Sequence, residues 1–469
     1  MKLTRNKEQP AGCALALVVL LCFPLAIARA AVNLTEGSLG LQVAIGATNH
    51  LWANAPGSNN AFDRWIGDVG LLGNPYAWHT TLVMPTNDVS LSATFKSAPS
   101  WSPATNILNG LASTNPQAVR VVCYFPSNST GVIFFFNGAR ASASGFFSET
   151  ESFTFARDAV AAGYAVAALD SAGGPGRSWD TTFAASNVDV ANVRTAVNYF
   201  ISAGLMATNT PKYATGMSAG GFFAPLPAYF LGFNACAIWC SSGAPKSTGT
   251  TVFNVTTVPT IWNLARNDDL YNHKAFLDDA ANNLALLGAR GIAGEVRENP
   301  PSPVYPQRFA RIQGLTAADS QSIHDQLKSA GLLDAFDFLV SSPFNNTNQW
   351  QSAVSGYSAY FTEIQNQLNS CYSEHHFFSD FDNETLRFFG ARRAPIAGRG
   401  EIRSITLQSD GAMKLTIDAD PGQNYRVQAS ADLRGWLAIF TNIYSGGTFD
   451  VLDRDTAQLS RRFYRTLSP

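Results

Sequence analysis

Charge is scarce in this chain. Only 14% of its 469 residues are Asp, Glu, Lys or Arg, against about 25% in an ordinary soluble domain. The 32 basic and 34 acidic side chains leave a net charge of -2. That balance excludes a polybasic nucleic-acid binder and an acidic tail protein. The polar surface must come from Ser, Thr, Asn and Gly, a habit that suits exported proteins more than cytosolic ones. No apolar run past the first thirty residues approaches the ~18 that signal a membrane span, so the mature chain is expected to carry no transmembrane segment. Paired C-x2-C spacing of the zinc type is missing, as are internal repeats and low-complexity tracts. What is present is apolar mass: 46% of residues are hydrophobic. A sizeable core is feasible, and the length allows two to four domains of roughly 150 residues each.

The first thirty residues read as a secretory signal peptide. Lys2, Arg5 and Lys7 give a positive start, residues 13–28 are apolar but broken by Pro24, and Ala28-Arg29-Ala30 is a small-x-small cleavage site. Sixteen apolar residues with an internal proline fall short of the roughly 20 that span a bilayer. The mature chain is therefore expected in the periplasm, on the cell surface or in the medium. Cys13 and Cys22 leave with the signal, and Cys123, Cys236, Cys240 and Cys371 remain. Residues 235–240 read as a buried strand, which sets Cys236 and Cys240 about 13 Å apart, too far for a bond. Either each pairs with Cys123 or Cys371, or all four are buried thiols.

Three regions follow the signal. Residues 31–97 are rich in strand formers and turns, with 89–95 alternating apolar and polar. Residues 98–390 interleave short apolar strands (119–124, 132–136, 164–169, 213–215, 235–240 and 258–264) with helical segments. One such helix, 185–201, places Val190, Val193, Val197 and Phe200 on one face. This pattern predicts the α/β class, a mostly parallel sheet covered by helices. Residues 391–400, with Arg392, Arg393, Pro395, Gly398 and Gly400, read as a solvated linker. Residues 401–469 alternate again as strands of a second small all-β module.

The chemistry concentrates in the middle region. Gly216-Met217-Ser218-Ala219-Gly220 follows a strand and precedes an apolar segment, the setting in which G-x-S-x-G presents a nucleophilic serine. The turn is too sharp for side chains at the flanking glycines, and the following helix end offers N–H groups to an oxyanion. A serine needs a base, and the base an orienting acid. The strand 258–264 runs into Asp268 and Asp269; Asp268 has the better register, and Asp269 is the alternative. Helix capping is the other use for this Asp pair. His375 and His376 follow 368–372, read as strand-like, and precede a helix at 380–389. His375 is the narrow choice and His376 the alternative. Adjacent histidines point different ways and make a poor chelate, so no metal is expected, nor any organic cofactor. The oxyanion donors are expected to be the N–H groups of Ala219 and of Ala139, in Asn137-Gly138-Ala139 after strand 132–136. An insert at about 285–360 separates acid from histidine and reads as a lid, a substrate wall or a flank.

Three resemblances add to this. Trp52-Ala53-Asn54-Ala55-Pro56, Phe62-Asp63-Arg64-Trp65-Ile66-Gly67-Asp68, 80–85, Asp88-Val89 and Ala93-Thr94-Phe95 resemble a divergent internalin B-type repeat, which implies a spacer or adhesive unit. Residues 425–430, Asp432-Leu433-Arg434-Gly435-Trp436 and Arg462-Phe463-Tyr464-Arg465 resemble the small C-terminal β-sandwich of exported proteins from the Verrucomicrobia and related bacteria. The middle region resembles the α/β-hydrolase superfamily, and its elbow, Thr215 to Gly221, is similar to those of secreted polyhydroxyalkanoate depolymerase-like and feruloyl esterase-like enzymes. Asn137 stands where related enzymes carry histidine. The resemblance implies a serine hydrolase of carboxylic esters, with an ester substrate that a polymer can supply. The rival readings are a peptidase of the same superfamily and a binding or adhesion protein with a hydrolase-like core. The β modules offer a cell-surface or polysaccharide contact, or act as spacers.

Overall fold

The computed structural model describes residues 31–467 except 41–44, 58, 101–106, 112–118, 175, 246–248, 269–272, 393–400, 420–422, 433–434, 445–446 and 457–460. The expected signal peptide, Asp269 and most of the linker lie outside the described residues.

The first β region comprises β1 (Val32–Thr35), β2 (Gly37–Leu39), β3 (Thr48–Ala53), β4 (Asn60–Gly67), β5 (His79–Val83) and β6 (Val89–Ser97). They form two three-stranded sheets, in the orders β1-β6-β4 and β2-β3-β5. Val89, Leu91 and Ala93 of β6 are buried, as the alternation requires, and Leu91 and Ala93 share a core with Trp52, Phe62 and Trp65. Tyr305, from far along the chain, completes this core. The module is thus sealed against the rest of the protein by shared apolar contact.

The central sheet is built from β7 (Ile107–Leu111), β8 (Val119–Tyr124), β9 (Val132–Phe136), β10 (Ala165–Leu169), β11 (Lys212–Met217), β12 (Ala235–Trp239), β13 (Thr260–Ala265) and β14 (Gly294–Asn299). Its order is β14-β13-β12-β11-β9-β10-β8-β7. All neighbours from β10 through β14 run parallel, and β8 runs against both β7 and β10. The helices are α1 (Ala143–Ser148), α2 (Thr150–Ala161), α3 (Val188–Ser202), α4 (Ala219–Phe223), α5 (Pro225–Phe230), α6 (His273–Gly288), α7 (Ala317–Ser329), α8 (Thr347–Ala353), α9 (Phe361–Tyr372) and α10 (Asp382–Gly390). Successive β9 side chains serve both faces. Phe134 and Phe136 pack with α3 and α6 through Val193, Phe200 and Leu287. Ile133 and Phe135 pack with α1, α2 and α10 through Phe146, Phe155 and Phe389. A sheet buried on both faces explains the unbroken apolar strands.

Two expectations need correction. Strand β14 joins the main sheet beside β13, so the segment outside the sheet begins after Asn299 and not near 285. It extends through α7, α8 and α9 and has its own core, including Phe309, Ile323, Trp350 and Leu368. Residues 368–372 are not a strand but the end of α9. Ile364, Leu368 and Cys371 recur at helical spacing and are buried on one face.

The C-terminal region holds β15 (Glu401–Leu407), β16 (Met413–Ala419), β17 (Gln423–Ser430), β18 (Leu437–Tyr444), β19 (Gly447–Asp453) and β20 (Phe463–Leu467). They form two antiparallel three-stranded sheets, β15-β16-β19 and β18-β17-β20. Leu415, Ile417, Val427 and Val451 are its buried core. Cys123, Cys236, Cys240 and Cys371 are all buried free thiols, which removes the disulfide alternatives. Among the described residues, no helix is long and apolar enough to cross a membrane.

Candidate active site

The chain passes from β9 out to β10 and then returns to place β11 on the other side of β9. The carboxyl ends of β9 and β11 therefore flank the crevice where doubly wound sheets bind ligands. Gly216 pairs with Phe136 in register, so the turn after β11 and the loop after β9 emerge side by side.

Ser218 sits at φ 55° and ψ -117°, a backbone region costly for any residue with a side chain. The surrounding glycines allow it. A Cβ on Gly216 would lie 2.1 Å from the carbonyl oxygen of Gly220, and one on Gly220 would lie 2.0 Å from that of Phe136. At Gly221 it would meet Cβ of Ser241 at 2.7 Å. The Ser218 N–H donates to the Trp239 carbonyl at 2.9 Å, pinning the turn to β12. Helix α4 stops at Phe223 and α5 starts at Pro225. A first-turn proline tolerates its missing N–H, so the prolines divide the expected helix rather than bend it.

Asp268 follows β13, and His375 lies in the loop 373–381 between α9 and α10. Nε2 of His375 is 2.8 Å from Oγ of Ser218, and its Nδ1 is 2.6 Å from Oδ2 of Asp268. Asp268 is 1% exposed and His375 9%, so the chain of three is shielded from water and weakly screened. The acid and histidine loops are tied together. Asn267 donates its N–H to the Ser373 carbonyl at 2.9 Å and Nδ2 to the Tyr372 carbonyl at 2.8 Å.

His376 points elsewhere. Its Nε2 is buried without a partner, and burial lowers its pKa to about 4, with His375 adding a smaller push in the same direction. Its carbonyl accepts the Cys240 thiol at 3.3 Å. Cys240, Asp268 and His375 bring potential metal ligands within 4.8 Å of one another. Burial and the nearby Asp268 push the thiol well above its ordinary pKa, and both His375 nitrogens already face partners. A neutral thiol and an engaged imidazole fit a cation badly.

Gly138 packs on the elbow: a Cβ there would lie 3.6 Å from Cβ of Ser218. Asn137 braces its own loop, with Nδ2 donating to the carbonyls of Gly138 and Ala141 at 2.9 and 2.8 Å. Trp179 adds a bond that the sequence did not suggest, from Nε1 to the Asn137 carbonyl at 2.8 Å. Among the described residues, neither the Ala139 nor the Ala219 N–H has a protein acceptor. Beside Ala219 opens a cleft of about 560 Å³. Trp179, Phe183, Phe222 and Leu226 supply its apolar walls, and among the described residues no charged side chain lines it. Asn187 and Asp189, assigned no chemistry, are structural: Asn187 caps α3, and Asp189 accepts the N–H groups of Ala172 and Asp180.

Residues 30–99 match the family model of the divergent InlB B-repeat domain. No curated protein matches the chain. Among solved structures, an S-formylglutathione hydrolase from Agrobacterium tumefaciens is 11% identical, with 41% of this chain and 84% of that chain covered and a TM-score of 0.32. An acetyl xylan esterase from Aspergillus awamori is 14% identical over 39% of this chain and 80% of that chain, with a TM-score of 0.31. An acylaminoacyl peptidase from Pyrococcus horikoshii is 11% identical over 56% of this chain and 51% of that chain, with a TM-score of 0.33. Likeness at this level carries no inference about activity.

Proposed function

We propose that the chain is an exported serine hydrolase of the α/β-hydrolase superfamily that cleaves carboxylic esters through an acyl-enzyme. The observation that supports this reading is the continuous chain from Ser218 through His375 to Asp268, at 2.8 and 2.6 Å, at the carboxyl edge of the sheet. Oγ of Ser218 attacks the substrate carbonyl as Nε2 of His375 takes its proton. Asp268 accepts from Nδ1 and stabilises the imidazolium. The N–H groups of Ala139 and Ala219 receive the oxyanion, each donor being worth roughly 3 kcal/mol in the transition state. The imidazolium then protonates the departing alcohol. Water, deprotonated by the same imidazole, releases the acid and restores Ser218. The apolar walls that Trp179, Phe183, Phe222 and Leu226 give the neighbouring cleft suit a largely apolar part of the ester.

A fluorophosphonate probe and p-nitrophenyl esters test this. Wild type is expected to be labelled and active, and Ser218→Ala to be neither. A folded wild type that resists the probe would overturn the reading. Faster turnover of peptide amides than of esters would move it to a peptidase.

A further inference from the structure

A second cavity, of about 780 Å³, opens at the seam between the first β region and the segment after β14. Its size falls among small-molecule sites, roughly 300–1,000 Å³. The Ser218 chemistry does not use it. One wall comes from β2 and β3 with His50, and the other from the loops that carry Gln307 and Phe336 to Phe338.

His50 is held as the end of a relay. Its Nδ1 is 2.9 Å from Nε2 of His79, and Nδ1 of His79 is 3.2 Å from Oδ1 of Asp380. The Asp380 carboxylate accepts a hydrogen bond from Nδ1–H of His79. With Nδ1 of His79 donating to Asp380, its Nε2 accepts from Nδ1–H of His50, which leaves Nε2 of His50 as a lone pair for a ligand. Burial and His79 lower the His50 pKa to about 4, in keeping with a neutral ring near pH 7. Asp380 shares its loop with His375, so this relay fastens the first β region to the loop of the proposed base.

The rest of the lining is largely apolar and aromatic, with a few polar groups set into it. Oε1 of Gln307 is buried with no protein partner, an arrangement that calls for an explanation in a folded protein. Asp337 adds a carboxylate already neutralised by Lys328. Phe336 is 58% exposed at the rim, and Phe338 meets the edge of His50 with ring centroids 5.6 Å apart. Among the described residues no lysine or arginine lines the cavity, which disfavours an anion. An apolar occupant would strand the His50 nitrogen at about 1–3 kcal/mol. A neutral ligand with many hydroxyl donors and a C–H face to lay on a phenyl ring matches both features, because the ring face carries negative charge. We propose that this seam binds a neutral saccharide chain, giving the first β region and the segment after β14 a joint task in holding a polymer.

The test is affinity electrophoresis of the full chain through gels containing soluble xylan, glucomannan, mixed-linkage β-glucan or dextran. At least one polymer is expected to retard wild type and Ser218→Ala equally, so the outcome does not depend on Ser218 being a nucleophile. Phe336→Ala, at an exposed site that folding tolerates, is expected to weaken retardation at least tenfold, as is His50→Ala. Unchanged melting temperatures would show that both variants fold. Retardation by none of the four polymers, or retardation untouched by Phe336→Ala, would overturn the proposal.

Discussion

Ser218 and His375 stand 2.8 Å apart, yet opposite means hold them there. The elbow is local. Its backbone conformation is enforced by contacts among residues 216–221 and the two strands beside them. The histidine loop is held from a distance. Ser379 in that loop gives its N–H and its hydroxyl to Glu151 of α2 at 3.0 and 2.7 Å. Asp380 holds His79 from the first β region, and Ser373 binds the ends of β13 and β14. One half of the site is held by the strands directly beside it in the sheet, whereas the other half exists only when three parts of the chain have assembled. Damage to the first should appear in rate alone, and damage to the second in rate and stability together.

The largest expected effect sits where the two halves meet. Asp268→Asn keeps the shape but offers an amide to Nδ1 of His375 and favours the wrong tautomer. A fall in kcat of roughly 10⁴ is expected, with the denaturation midpoint nearly unmoved. Initial rates on a p-nitrophenyl ester, alongside a urea titration, check both parts.

Glu151→Gln should act the other way. Glu151 is 1% exposed and faces Arg308, Gln367 and Ser379. Burial alone would raise its pKa, but Arg311, Arg308 and the Ser379 bonds outweigh that and hold it below the usual carboxylate range. The variant leaves Arg308 buried without its counter-ion, a loss of about 3–5 kcal/mol. Because the folded pKa is depressed, this contribution is present above the unfolded pKa near 4.5 and lost as pH falls below it. Urea titrations at pH 7 and in acid should therefore show the gap between variant and wild type closing, and kcat should fall together with stability at pH 7.

Glu384→Gln should stabilise. Both carboxylate oxygens of Glu384 are buried without partners, and burial pushes its pKa up to about 7. Such a group stabilises the fold fully below its unfolded pKa near 4.5, and that share is lost as pH rises through 7. The glutamine form escapes the loss. Its advantage should grow from nothing near pH 4.5 to at most about 3 kcal/mol at pH 8. A constant difference across that range would show that packing, and not titration, sets the effect.

The same contrast explains what could be read beforehand. G-x-S-x-G after an apolar strand is legible because its residue types recur as one short pattern, although only Gly216 is required from within it, by the Gly220 carbonyl. The sheet was legible because burial on both faces leaves runs such as Val132 to Phe136. The choice between His375 and His376 was open because neighbours in a loop carry no periodicity; the turn at Ser373 aims one ring at Ser218. Residues 368–372 misled because Leu368, Ser370 and Tyr372 alternate with polar or small neighbours over too short a window, while the helical spacing from Ile364 shows only over a longer one. No local pattern links His79 to Asp380, which lies 301 residues away.

Ser373 allows the two kinds of support to be separated within one residue. It ends α9 in the left-handed region, at φ 62° and ψ 45°, where a side chain costs about 1 kcal/mol relative to glycine. Its hydroxyl donates to the Asn299 carbonyl and accepts the Arg266 N–H at 2.7 Å. Ser373→Ala loses both bonds and keeps the strain, so it should cost about 1–3 kcal/mol. Ser373→Gly loses the same bonds but relieves the strain, and should come out about 1 kcal/mol better than alanine. The backbone bond from Asn267 survives in both variants, so kcat should fall modestly and by similar factors in the two. If alanine matched wild type in stability, the hydroxyl bonds would be idle and the histidine loop would not depend on them.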